Sequence, residues 1–111
     1  MADTLLTKAK ALEAAAKDTF AGVDVAELDT PVRKLVQDFK RGMTDIRLDV
    51  RDFEFADTLA DQRRSGQIAN RRLEKVRKQV LALSDQGLVS AADVAEYSAR
   101  IEDLTKELQN E

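Results

Sequence analysis

No cysteine, histidine or tryptophan occurs in the 111 residues, and proline appears once, at Pro31. The missing cysteine excludes disulfides and thiolate chemistry, though it leaves the redox compartment open. Without histidine there is no imidazole base, no Ser–His or Cys–His pair and no di-iron bundle site of the Glu-x-x-His kind. No phosphate-binding G-x-x-x-x-G-K-S/T loop, no G-x-G-x-x-G turn and no EF-hand loop is present. The chain therefore reads as non-enzymatic, with no cofactor and no metal. Long apolar runs are missing too, since none approaches the ~20 residues a bilayer span needs. The start, Met1-Ala2-Asp3-Thr4, has no basic stretch followed by an apolar one. A cytoplasmic protein with no membrane partner is expected.

Aromatic residues make up only 5% and glycine occurs four times, while 35% of residues are charged. This mix suits long amphipathic helices, with charge on the outside and aliphatic residues in a narrow seam. The fold class is all-α: antiparallel helical hairpins forming a coiled-coil-like bundle. The chain is a single helical domain over 1–111, with an N-terminal hairpin over 1–56 and a C-terminal hairpin over 57–111.

Leu5, Ala9, Leu12, Ala16 and Phe20 recur at steps of three and four, which predicts a first helix from Thr4 to Phe20. Ala21-Gly22-Val23-Asp24 ends it. Thr30 as a cap and Pro31 in the first helical turn open the next. Its seam runs through Val32, Val36, Phe39, Met43, Ile46, Val50 and Phe53. An antiparallel register sets Phe20 against Val32, Ala16 against Val36 and Ala9 against Met43. The second hairpin is cleaner. Leu83 faces Val94, Val80 faces Tyr97, Val76 faces Ile101, Leu73 faces Leu104 and Ala69 faces Leu108. Gly87 suits a left-handed position past a helix end. Ser90 and Asp93 fit a capping box, with Val89 and Val94 as its hydrophobic staple.

The segment joining the hairpins, from Pro31 to Ser84, has two glycines and no further proline. The preferred reading makes it one continuous middle helix of three, with the terminal helices docked on opposite sides. The alternative breaks it between Asp57 and Gly66 and folds a four-helix bundle. The apolar stripe changes face by ~200° in this region, at ~100° per residue. Leu48, Phe55 and Leu59 thus point away from the seam of Ile46, Val50 and Phe53. These three are the interface candidates, because a docked helix covers only one stripe. A homodimer would cover them and complete the fold.

Charge is unevenly spread. Residues 63–78 carry seven basic side chains and one acidic, in a chain of net charge −3. Arg63, Arg64, Arg71, Arg72, Lys75 and Lys78 make a basic stripe along this helix. Its expected partners are Glu102, Asp103, Glu107 and Glu111 of the antiparallel last helix. A negatively charged protein or a nucleic-acid backbone is the alternative partner, though no aromatic side chains interleave for base stacking. Asp38, Asp45, Asp49 and Asp52 share one helical face. They read as a solvated row balanced by Lys34, Arg41 and Arg51, since carboxylates one turn apart on a straight helix wrap a cation poorly.

The run from Leu83 to Ser90, with Glu96-Tyr97 downstream, resembles the turn of short helical hairpins appended to many unrelated bacterial proteins. That resemblance implies a hairpin and no activity. The functional reading is a self-associating scaffold, adaptor or assembly chaperone working through helix-face contacts with a protein partner. A nucleic-acid-associated accessory protein using the stripe Arg63–Lys78 is the runner-up.

Overall fold

Thr4 accepts a hydrogen bond from the Thr7 amide at 3.1 Å and caps α1, Leu5–Thr19. This is the first of four helices in the computed structural model, which describes residues 4–109. A short 3-10 turn, Val25–Glu27, interrupts the following loop, and Asp24 caps it through the Ala26 amide. The second helix, α2, spans Thr30–Glu54. Thr30 is its first helical residue rather than its cap. Asp29 holds the cap position without a side-chain bond, and Pro31 sits in the first turn as expected.

The continuous middle helix does not form. The chain turns at 55–58, between α2 and α3, Leu59–Asp85, overlapping the start of the Asp57–Gly66 window of the four-helix alternative. Phe55 ends α2, its amide bonding the Arg51 carbonyl, and Thr58 caps α3 by accepting from the Asp61 amide at 3.1 Å. The change of apolar face is the turn itself: once the chain reverses, Gly66, Ala69 and Leu73 return to the same core as Val50 and Phe53. The three-helix arrangement thus gives way to four helices.

The last helix, α4, spans Ala91–Gln109. Gly87 adopts φ 74°, the Leu88 amide bonds the Leu83 carbonyl at 3.0 Å and the Gly87 amide bonds Ser84 at 2.9 Å. These two bonds satisfy carbonyls that the end of α3 would leave open. Ser90 then accepts from the Asp93 amide and caps α4. Ala69, Leu73, Val76, Val80 and Leu83 are buried, as are Tyr97, Ile101, Leu104 and Leu108, while Val94 is half-buried.

Each helix packs on the next, and α4 closes against α1, giving a bundle of 46 × 26 × 19 Å. Leu12, Val36, Phe39, Met43 and Ile46 meet Leu73, Val76, Val80 and Leu104 in one buried core. That core closes within one chain, so a second copy is not needed to complete it. The α1–α2 register differs from expectation. Phe20 stacks edge-on against Phe39 at 5.9 Å, not against Val32, and Glu13 pairs with Arg47. The loop carrying the 3-10 turn folds back along the start of α2, where Arg33 donates to the carbonyls of Ala26 and Leu28. It thereby occupies the space that the expected register assigned to α1.

Two glycines mark close approaches between α2 and α3. A Cβ at Gly42 would lie 2.9 Å from Val76 Cγ2, and one at Gly66 would lie 3.2 Å from the Phe53 ring. At both places the missing side chain lets the partner helix come close.

Candidate functional site

Phe55 and Leu59 flank the α2–α3 turn and are 71% and 55% exposed. Leu48 lies seven residues before Phe55 on the same flank of α2 and is half-buried. The only other large apolar side chain so exposed among the described residues is Leu81, at 47%. Leu81 was not singled out from the sequence; its signal is that it falls between the seam positions Val80 and Leu83.

The basic stripe does not find the expected partners. On α4, Asp103 and Glu107 both bind Lys8 of α1 at 2.9 Å, and Glu102 pairs with Lys106 one turn away. The carboxylates that register alone placed beside the stripe face the α1 side or their own helix. Glu111 lies outside the described residues. Arg72 leaves the stripe altogether and reaches across to α2, meeting Asp45 at 3.1 Å and Asp49. Arg63, Arg64, Arg71, Lys75 and Lys78 are exposed and form no ion pair among the described residues.

The acidic row of α2 is likewise split. Asp45 and Asp49 take Arg72 rather than Lys34 or Arg41, whereas Asp52 stays exposed 3.7 Å from Arg51. Asp38, Arg41, Asp45, Arg72 and Lys75 surround a small cleft of about 160 Å³ over Gly42. Its lining carries three basic and two acidic side chains, so both signs meet there. Among the described residues no group of acidic side chains is gathered so as to hold a metal ion. No described helix is long and apolar enough to cross a membrane.

Burial pushes the Asp49 carboxyl above its ordinary 3.8, against the pull of Arg72. Between those two values the folded state binds more proton than the unfolded chain, so this group's contribution to stability falls as pH rises. Asp49→Asn, which cannot titrate, should remove that dependence. Urea midpoints of the two proteins should converge or cross as pH is raised from below 3.8 to neutral, the natural chain losing ground. Parallel midpoints at all pH values would contradict the burial of this carboxyl.

Tyr97 is 2% exposed and makes an edge-on contact with Phe39 at 5.6 Å. Its hydroxyl donates to the Ala15 carbonyl at 2.9 Å and lies beside the Thr19 hydroxyl, joining α4 to the end of α1. Burial raises its pKa above 10.0. This is a packed, satisfied tyrosine. Glu54 acts similarly at the other end, accepting the otherwise open Leu6 amide at 3.0 Å. The remaining clefts are shallow. One of about 330 Å³ lies between α3 and the end of α4, lined by Phe53, Arg63, Asn70 and Leu108 among others.

No protein-family model, curated protein or solved structure matches this chain.

Proposed function

We propose that this chain is a helical interaction protein, a scaffold or adaptor that self-associates through Leu48, Phe55 and Leu59. The observation that carries this reading is the exposure of Phe55, 71%, and Leu59, 55%, at one end of a bundle whose other large apolar side chains are mostly covered. Nothing in the core requires either side chain at the turn, so their apolar area is free for a contact. The charges around them are balanced: Arg51, Arg63 and Arg64 accompany Asp52, Asp57 and Asp61. Mixed charge around an apolar centre suits a twofold contact, where each copy presents both signs to the other.

Light scattering at micromolar concentration should report twice the 12.4 kDa chain mass. Phe55→Asp should return it to the single-chain mass by forcing a carboxylate into an apolar contact. Because Phe55 is exposed, its melting temperature as a monomer should scarcely change. A single-chain mass at every concentration overturns self-association.

A further inference from the structure

Among the described residues, Asp103 and Glu107 are held by Lys8, Glu96 by Arg100, Glu102 by Lys106, and Asp45 and Asp49 by Arg72. Lys10, Lys17, Lys34, Lys40 and Arg41 form no ion pair among the described residues, but α3 gathers the most such cations on one helix. Arg64, Arg71 and Lys78 are exposed at seven-residue intervals, with Lys75 between the last two, and none forms an ion pair with a carboxylate among the described residues. At ~1.5 Å per residue the row is ~21 Å long, and seven residues bring each cation back to nearly the same side of the helix. We propose that this row docks an acidic amphipathic helix of a partner protein, which lays carboxylates along Arg64, Arg71, Lys75 and Lys78 and an apolar residue on Leu81.

Charge complementarity supplies the first argument. A partner helix carrying Glu or Asp at four- and seven-residue steps has the same repeat as the row, so several pairs form in one register. The second argument is the form of the row. It is one helix wide, with Asp38, Asp45 and Asp49 of α2 on one side and Glu74, which shares a cleft with Ser98 and Glu102 of α4, on the other. A phosphate backbone broad enough to meet the row would also meet those carboxylates, and the net charge of −3 opposes a polyanion at longer range. A single helix ~10 Å across matches the width of one α3 face. The third is Leu81, 47% exposed one turn beyond Lys78 and seven residues after Glu74, which sets it on the α4-side edge of the row past that carboxylate. An apolar contact beside the cations serves an amphipathic helix and gives a phosphate backbone nothing.

The probe is a fluorescein-labelled amphipathic peptide of about 20 residues, long enough to span the row, with glutamates at four- and seven-residue steps beside a leucine seam. Anisotropy at physiological salt should show saturable binding to the full chain. Arg71→Glu/Lys75→Glu/Lys78→Glu should weaken it by at least about tenfold. Leu81→Ser should weaken it less, by about threefold to tenfold. Since all four side chains are exposed, circular dichroism should show the fold retained; if the reversals unfold it, the three alanine substitutions take their place. A duplex of equal charge that binds more tightly than the peptide, steeply salt-dependent and indifferent to Leu81→Ser, would transfer the row to nucleic acid and overturn the proposal. Absent peptide binding, or binding that survives the substitutions, overturns it as well.

Discussion

Phe39→Ala should cost about 3–5 kcal/mol, the range for truncating a buried aromatic that leaves a cavity behind. Phe39 has no exposed surface and holds the centre of an aromatic row, edge-on to Phe20 of the α1 end at 5.9 Å and to Tyr97 of α4 at 5.6 Å. Its loss removes two ring contacts besides its own buried area. A domain of this size has about 5–15 kcal/mol in total, so the variant should melt far earlier and unfold fully in urea concentrations that leave the natural chain folded. The neighbours cannot refill the space easily. Tyr97 is tied to the Ala15 carbonyl, and Val36 and Met43 are themselves fully packed. A melting temperature within a few degrees of the natural chain, about what 1 kcal/mol produces, would mean that the cavity collapses.

Leu12→Ala should cost about 2–5 kcal/mol, but its effect should be felt unevenly. The other buried positions of α1 are Ala9 and Ala16, so Leu12 is the one large side chain buried in the body of that helix. Phe20, at its end, is the second anchor. By contrast α2 buries six residues, all larger than alanine, between Val36 and Phe53. Truncating Leu12 should therefore loosen α1 before the other three helices open. Hydrogen exchange read by mass spectrometry should show α1 amides losing protection while the middles of α2 and α3 keep theirs. Equal loss in all four helices would show that α1 has no separate opening.

The C-terminal hairpin was legible because its signals are local. Gly87, Ser90 and Asp93 mark a short turn, and a short turn ties the two seams to one register. In the N-terminal hairpin the loop is longer, and its folding back along α2 shifts Phe20 from Val32 to Phe39 without changing which residues are apolar. Periodicity cannot detect such a slide, since both registers bury the same stripe. The turn at Phe55–Thr58 was hard to place for a different reason: no glycine or proline marks it. Thr58 followed three residues later by Asp61 was the available sign, the same pattern that located α4. Of the candidate surfaces, Phe55 and Leu59 are exposed because they flank the α2–α3 turn, and not because they sit on a second face of one continuous helix, the reasoning that singled them out in the sequence. The partner of Arg72 was not legible. Spacing rules see neighbours on one helix, whereas Asp45 and Asp49 become its neighbours only after the chain reverses.

The up-down-up-down path has a practical consequence for how the protein is handled. The Leu6 amide meets Glu54, and Leu108 lies beside Gly66 and Phe53. The start of α1 and the end of α4 thus share one pole of the bundle with the α2–α3 turn. A purification tag or a fluorescent protein joined ahead of α1 or after α4 is tethered to the pole that carries Phe55 and Leu59, where its bulk would block a twofold contact or its own dimerisation would counterfeit one. The opposite pole carries the loop around Glu27 and the turn at Gln86, both exposed. A cysteine introduced there accepts a dye as the only thiol in the chain, well away from the apolar pole.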